Sequence, residues 1–152
     1  MTRPLDTCAP DHPKLADFLC FAVYSANLTF GKAYKPLLDV LGLTYTQYIT
    51  MVALYEEGHQ TVGGLGEKLF LESNTLTPIL KKLEAMGYLR RERDTADERQ
   101  VLVTLTDAGR ALRERAYSAD LTEACGLNTA QFAETRDAVL ALRNNLAKSL
   151  RK

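Results

Sequence analysis

Cysteine and tyrosine are the residues of this sequence whose chemistry and spacing suggest a reaction. Tyr24 follows Cys20 by four residues, so in a helix the two side chains would lie side by side, one turn apart. A thiol attacks a peroxide in its thiolate form, and a hydroxyl group that donates a hydrogen bond to sulfur stabilises that form without adding charge. The spacing therefore permits a redox-reactive thiol at Cys20. The alternative is that Cys20 is a small buried core residue, which is the commonest fate of an intracellular cysteine.

The remaining cysteines and the histidines show no metal-binding pattern. Cys8 and Cys125 are far from Cys20 and from each other, and no framework spacing relates them. In a reducing compartment such sparse thiols belong to core, metal or redox chemistry rather than to structural disulfides. His12 and His59 are distant in sequence from the thiols, so we expect no metal site and no cofactor. Cys8 lies in an expected N-terminal tail and is assigned no role.

Composition predicts an ordinary globular domain without a membrane segment. The chain has 152 residues, of which 46% are apolar and 25% charged. No stretch approaches the roughly 18 apolar residues of a membrane span, and no secretory signal is present, so we expect a cytoplasmic protein that does not bind membranes. The formal net charge is +0. Any contact with DNA must therefore depend on where the charges point.

Apolar periodicity predicts long helices at both ends of the chain. From Pro13, apolar residues recur at three- and four-residue steps as far as Phe30, and we expect Pro36 to break or kink this helix. Near the other end, Thr106 is expected to cap a helix that runs to about Thr122. Asn128-x-x-Gln131 is a capping box for a last helix.

Three shorter helices are predicted between these ends. Thr44-x-x-Gln47 is a capping box for a helix that ends at about residue 57, before Gly58. A second helix fits residues 62–70. Ser73 or Asn74 is expected to cap the third, which Gly87 ends.

After Gly87 the periodicity changes to that of strands. Residues 88–91 and 101–105 are strand-like, and a charged turn over residues 94–98 joins them. Two short helices followed by a hairpin form a winged helix-turn-helix. The predicted fold class is therefore mainly α with a small β-hairpin wing.

The second helix of this pair has side chains suited to the major groove of DNA. Short polar side chains occupy its first turn, two lysines placed for phosphates follow, and an arginine at the end of the wing suits a narrow minor groove. These residues are Ser73, Asn74, Thr75, Thr77, Lys81, Lys82 and Arg99. Taken singly, the polar turn is equally typical of a helix cap, and the lysines of a solvated face. Asp94, Asp97 and Glu98 would repel phosphate unless they pair with neighbouring arginines such as Arg93.

The helix end, wing and following cap together resemble MarR-type transcriptional regulators. The resemblance lies in Leu83-Glu84-x-x-Gly87-Tyr88-Leu89-x-Arg91, Asp97-Glu98-Arg99 and Leu105-Thr106-x-x-Gly109. It implies one MarR-type domain that forms a homodimer, with dimerisation helices at about 13–40 and 107–152 and a winged helix-turn-helix at about 44–106. Such a dimer reads a palindromic double-stranded operator, one recognition helix per half-site. Arg91 joins the expected DNA contacts.

Within that family the sequence is similar to the organic hydroperoxide resistance repressors (OhrR) of the two-cysteine type. The similar segments are Leu19-Cys20-Phe21-Ala22-Val23-Tyr24, Tyr34-Lys35-Pro36-Leu37-Leu38-Asp39, Leu43-Thr44-Tyr45-x-Gln47-Tyr48 and Leu71-x-Ser73-x-Thr75-Leu76-Thr77-Pro78. A departure is Asn74, where a glycine is usual.

The similarity implies specific roles for the sensor residues. Tyr34 and Tyr45 would donate hydrogen bonds to the Cys20 sulfur from the partner subunit. Oxidation to a sulfenic acid would be followed by an intersubunit disulfide with Cys125 and release of the operator. Apolar neighbours of the thiol would favour a bulky organic hydroperoxide as inducer; these are Phe18, Phe21, Phe30 and Leu41.

Two other functions remain as alternatives. A thiol peroxidase would turn over peroxide at Cys20, but the polar recognition helix and the wing would then serve no purpose, so we do not expect an enzyme. A MarR-like repressor relieved by a reversible phenolic ligand, with an inert Cys20, would keep its response after Cys20→Ser.

Overall fold

The computed structural model describes residues 12–116 and 121–151. The chain divides into two compact units, Met1–Ala33 and Tyr34–Lys152. In the first unit a short 3-10 turn, Leu15–Asp17, precedes the long helix α1, Leu19–Leu41, whose C-terminal part belongs to the second unit. The expected start of α1 at Pro13 was wrong, because the Asp17 carboxylate accepts the Lys14 N–H at 3.1 Å and closes a separate turn.

Helix α1 continues through Pro36, so the predicted break at this proline was wrong. A proline inside a helix removes one backbone hydrogen bond and crowds the carbonyl four residues earlier, a cost that tertiary packing has to offset. The helix is anchored beyond it by Leu38, which is 6% exposed in the core of the second unit. It ends at Gly42, whose φ of +67° suits a left-handed C-terminal residue.

The second unit contains the remaining helices and a small sheet. In chain order the elements are α2 (Tyr45–Glu57), β1 (His59–Thr61), α3 (Val62–Leu69), α4 (Ser73–Ala85), β2 (Leu89–Arg93), β3 (Val101–Leu105), α5 (Asp107–Ala116), a 3-10 turn (Glu123–Cys125) and α6 (Thr129–Ser149). The antiparallel sheet has the order β1-β3-β2. The mainly α fold with a β wing is thus confirmed. Strand β1 was not predicted, because three residues carry too little periodicity and pairing with β3 creates the strand.

Most helix signals in the sequence are confirmed. Thr44 and Gln47 form a reciprocal capping box at α2, and Asn128 and Gln131 form another at α6. The predicted cap of α4 was wrong: Glu72 is the N-cap residue and makes no side-chain cap, because Ser73 is already helical. In the described residues α5 ends at Ala116, short of the predicted 122, and residues 117–120 lie outside them.

The core of the second unit fixes the helix-turn-helix to the wing. It consists mainly of leucines that are at most 3% exposed, each contributing about 1.5–3 kcal/mol by its burial. These are Leu54, Leu65, Leu76, Leu80, Leu83, Leu89, Leu105 and Leu112. Among the described helices, none by itself has the length and apolar character to cross a membrane; α1 and α2 pass that test only as a pair bent by 74°.

Candidate functional site

The first turn of α4 presents short polar side chains at the surface. Ser73, Asn74 and Thr75 are exposed, while Thr77 is half-buried and its hydroxyl donates to the Ser73 carbonyl at 2.7 Å. Lys81 and Lys82 are exposed one to two turns later. On the opposite face Leu76, Leu80 and Leu83 are buried. The helix is therefore held by its apolar face and offers the other face to a partner.

In the wing, the carboxylates of Asp94 and Asp97 accept hydrogen bonds from residues of the same turn. Asp94 Oδ1 accepts the Ala96 N–H at 2.9 Å, and Asp97 Oδ1 accepts both the backbone N–H and Nε of Arg99 at 3.1 Å. Hydrogen bonds from Arg99 hold the pKa of Asp97 below its usual value. The Arg99 side chain is 91% exposed. Asp97 thus holds this arginine at the tip of the wing, and the guanidinium of Arg99 offsets the negative charge of Asp97.

Arg93 does not provide the pairing suggested for the acidic turn. Its guanidinium donates to the Glu98 backbone carbonyl at 2.8 Å instead of pairing with a carboxylate. This contact closes the base of the turn.

Arg91, which the sequence placed among the DNA contacts, is bound to Glu84. The Arg91 Nε and Nη2 atoms lie 2.9 and 2.7 Å from Glu84 Oε2, and the Arg91 backbone N–H donates to Oε1 at 3.1 Å. These hydrogen bonds lower the pKa of Glu84. The pair ties β2 to α4, so Arg91 orients the wing relative to α4.

A hydrogen-bond network also joins the wing to α5. Thr106 Oγ1 donates to the Gly87 carbonyl at 2.6 Å and accepts the Gly109 N–H at 3.2 Å, and the Thr106 N–H donates to the Tyr88 carbonyl at 3.0 Å. A Cβ atom at Gly109 would overlap the Tyr88 carbonyl oxygen. The motif residues thus bring α5, the end of α4 and the wing into close backbone contact.

Cys20 lies in the first turn of α1, in the first unit, and is exposed. It lines a shallow apolar depression of about 370 Å³ together with Leu15, Phe18, Phe21 and Tyr24. The Phe21 and Tyr24 rings are 6.3 Å apart. Of the other apolar residues expected near the thiol, Phe30 and Leu41 are not part of this lining, and Leu41 packs against the core of the second unit.

Tyr34 and Tyr45 meet in the second unit. Their ring centroids are 5.3 Å apart with the planes at 53°. Burial raises the pKa of the Tyr45 hydroxyl, and the neighbouring Tyr48 raises it further.

Tyr48 and Arg113 belong to the same cluster but were missed by the sequence reasoning. The Tyr48 ring lies 5.9 Å from Tyr34, and the Arg113 guanidinium lies 5.9 Å from Tyr48. For Tyr48 the signal was available, because it follows Tyr45 by three residues on one helix face. For Arg113 no local signal exists, because its contact with α2 is formed by packing of α5.

Cys125 is half-buried at the end of the 3-10 turn that precedes α6. Its backbone N–H donates to the Leu121 carbonyl at 3.1 Å, and Gly126 follows in the left-handed conformation. Cys125 and Cys20 are both free thiols. Cys8 lies outside the described residues. Within the described residues no group of His, Cys, Asp and Glu has a metal-binding arrangement.

Known proteins are similar to this chain in sequence and in fold. A family described as the transcriptional regulator SarA/Rot matches residues 32–115. The organic hydroperoxide resistance transcriptional regulator of Bacillus subtilis is 47% identical over 106 residues, which cover 70% of this chain and 72% of that protein. A mutant MarR of E. coli complexed with operator DNA has a TM-score of 0.76 over 86% of this chain and 99% of that chain, and its 20% identity shows the shared fold alone. The chain belongs to the MarR-type transcriptional regulators.

Among MarR-type regulators it falls with those of organic hydroperoxide resistance, as the sequence motifs predicted. AbfR of Staphylococcus epidermidis, in a reduced form bound to DNA, is 37% identical with a TM-score of 0.74, over 91% of this chain and 96% of that chain. Disulfide-formed AbfR, 38% identical, has a TM-score of 0.61 over 91% of this chain and 93% of that chain.

Proposed function

We propose that this MarR-type regulator is a dimeric repressor that releases a palindromic operator when an organic hydroperoxide oxidises Cys20. The observation that carries the proposal is the depression around Cys20. The thiol is exposed among apolar side chains with Tyr24 beside it, in a chain that belongs with the organic hydroperoxide resistance regulators. An apolar entrance favours an alkyl or fatty-acid hydroperoxide over hydrogen peroxide, because the alkyl group loses contact with water there.

The first chemical step forms a sulfenic acid. The Cys20 thiolate attacks the terminal oxygen of the hydroperoxide, the O–O bond breaks, and the alkoxide leaves as an alcohol after it takes up a proton. Sulfur is oxidised and the peroxide is reduced. In this proposal Tyr24 lies beside the thiol, and Tyr34 and Tyr45 of the partner subunit donate hydrogen bonds that stabilise the thiolate.

The second step is an intersubunit disulfide with Cys125. The Cys125 thiolate attacks the sulfenic sulfur of Cys20, an S–S bond forms, and the hydroxyl leaves as water after it takes up a proton. The step is supported by the free, half-buried Cys125 and by the disulfide form known for AbfR. A disulfide needs Cα atoms within about 7 Å, so it would draw the segment before α6 toward the partner's α1 and alter the spacing of the recognition helices.

Dimerisation is supported by apolar side chains left exposed on the terminal helices. Helices α1 and α6 expose large hydrophobic residues that a single chain does not cover, which is typical of an association surface. Those on α1 include Leu19, Val23, Leu28 and Phe30, and those on α6 include Val139, Leu140 and Leu146. We therefore assign residues 13–40 and 107–152 to dimerisation and 44–106 to DNA binding.

DNA binding is assigned to the exposed face of α4 and to the wing. Ser73, Asn74, Thr75 and Thr77 would meet base edges or phosphates, Lys81 and Lys82 would meet phosphates, and Arg99 would enter the minor groove. Arg91, bound to Glu84, would then act by orienting the wing.

Operator binding measured by fluorescence anisotropy during titration with cumene hydroperoxide tests the proposal. We expect binding to be lost at near-stoichiometric oxidant and restored by a dithiol. Cys20→Ser should bind the operator and keep it at any oxidant concentration, because no sulfenic acid forms. If the Cys20→Ser variant still releases DNA, a reversible ligand or another thiol is the trigger and the proposal is wrong.

A further inference from the structure

In the second unit, the two tyrosines assigned to the sensor, Tyr34 and Tyr45, belong to a larger aromatic cluster. We define it as Tyr34, Tyr45 and Tyr48. Tyr34 lies between the other two, with ring centroids 5.3 Å from Tyr45 and 5.9 Å from Tyr48. Tyr48 is 9% exposed, so its ring is fixed inside the unit. The position of the Tyr34 ring is therefore set from both sides by α2.

Arg113 of α5 contacts this cluster at the Tyr48 ring. Its guanidinium lies 5.9 Å from the Tyr48 ring centroid and 5.8 Å from that of Tyr55, within the distance at which a cation is attracted to a ring face. A planar guanidinium stacks on aromatic rings better than an ammonium group does. Arg113 thus joins α5 to two tyrosines of α2.

Two charged groups near the cluster belong to α5. Besides Arg113, Glu114 accepts a hydrogen bond from the Tyr55 hydroxyl at 3.3 Å. Among the described residues, the titratable groups in contact with one another include Tyr34 from α1 and Tyr45, Tyr48 and Tyr55 from α2. Arg113 therefore lies beside both Tyr48 and Tyr55, and the Glu114 carboxylate lies beside Tyr55 alone of these two rings.

We propose that Arg113 and Tyr48 are positioning residues of the thiol sensor, an inference that rests on the proposed function. Arg113 holds the Tyr48 ring, Tyr48 supports Tyr34, and Tyr34 packs against Tyr45. A hydrogen bond weakens steeply when its angle or distance departs from the optimum, so a loosened Tyr34 would donate less well to a thiolate. Neither Arg113 nor Tyr48 needs to touch the peroxide or the sulfur.

The test compares Arg113→Met, Arg113→Lys and Arg110→Met with the wild-type dimer. Arg110 is an exposed arginine on the same helix and serves as the matched control. Oxidation of Cys20 by cumene hydroperoxide is followed by quenching with an alkylating reagent and mass spectrometry of the Cys20 peptide, between pH 5 and 9. Operator affinity of the reduced forms and thermal melting are measured in parallel.

We expect Arg113→Met to oxidise about tenfold more slowly at neutral pH, because a small misplacement of a positioned group has effects of this order. The pH at which the rate is half-maximal should move upward, since the thiolate is less well stabilised. Arg113→Lys should recover part of the rate, and operator affinity of the reduced forms should stay within about twofold of wild type. A shift in melting temperature alone, with an unchanged rate and pH profile, is the result of a merely structural role and would overturn the inference.

Failure of the inference and failure of the proposed function give different results. If wild type releases the operator on oxidation but Arg113→Met oxidises at the rate of Arg110→Met, the positioning role is wrong and the sensor stands. If wild type keeps the operator after Cys20 is oxidised, the proposed function is wrong. Should Arg113→Met not fold, an Arg113→Gln variant, which keeps a polar end but has no cation for the rings, overturns the inference if it oxidises at the wild-type rate.

Discussion

At the scale of single residues, ion pairs distinguish the exposure of two arginines of the wing, Arg91 and Arg99. Arg91 is engaged by both oxygens of Glu84, whereas Arg99 is held by Asp97 only at its Nε and backbone N–H and extends into solvent with 91% of its side chain exposed. Exposed pairs of this kind contribute little to stability. The pair at Arg99 is therefore suited to orient the side chain rather than to hold the fold.

Arg99→Ala should weaken operator binding about tenfold and make binding less salt-dependent, because one cationic contact to the DNA is lost. Anisotropy titrations at several salt concentrations measure both quantities. The rate of Cys20 oxidation should not change. Arg136→Ala, on an exposed arginine of α6, is the control. Equal affinity of Arg99→Ala and wild type at matched salt would contradict the wing assignment.

At the scale of elements, backbone contact fixes the wing. Gly109 of α5 lies against the Tyr88 carbonyl, and Thr106 bonds to both sides of this contact. No side chain larger than hydrogen fits at residue 109 without moving α5 or β2. The Leu105-Thr106-x-x-Gly109 motif is therefore explained by packing, independently of any contact with DNA.

Gly109→Ala should destabilise the fold by about 3 kcal/mol or more, because a methyl group that overlaps a carbonyl oxygen forces the backbone apart. Gly63→Ala is the matched control: it is also helical, nothing lies within 4 Å of its Cβ position, and it should stabilise by about 0.5–1 kcal/mol. Chemical denaturation of both variants measures the difference. A Gly109→Ala variant as stable as wild type would show that this close contact is absent.

At the scale of the whole molecule, the proposed switch depends on movement between subunits. In that proposal the reactive thiol of Cys20 lies at the start of α1 and the resolving thiol of Cys125 lies in the turn before α6, so both thiols lie on or next to helices with exposed apolar faces. Chemistry at one thiol would thereby change how the subunits pack.

Cys125→Ser should still respond to hydroperoxide, with a smaller loss of operator binding than wild type, but without forming the covalent dimer. Its Cys20 sulfenic acid has no resolving thiol and should advance more readily to the sulfinic and sulfonic acids. Non-reducing electrophoresis and mass spectrometry of the oxidised protein measure the two effects. A covalent dimer band that persists in Cys125→Ser would show that Cys125 is not the partner of Cys20.

Sequence by itself determined the local parts of this protein. Helix ends are fixed by the capping boxes at Thr44 and Asn128 and by the glycine after α4. These contacts involve residues a few positions apart, so the local sequence is enough to predict them. The predicted recognition helix, the wing and the family resemblance likewise depended on short motifs and local periodicity. The α4 cap at Glu72 and the passage of α1 through Pro36 were missed, since burial of neighbouring leucines outweighs local preference there.

Only the tertiary structure decided which distant residues meet. It placed Glu84 on Arg91, paired Asp97 with Arg99 rather than with Arg93, created β1 by pairing with β3, and brought Arg113 to Tyr48. These contacts join residues whose separation along the chain carries no periodic signal. Their partners are selected by the packing of the leucine core, which depends on every element at once and is not encoded in any one segment.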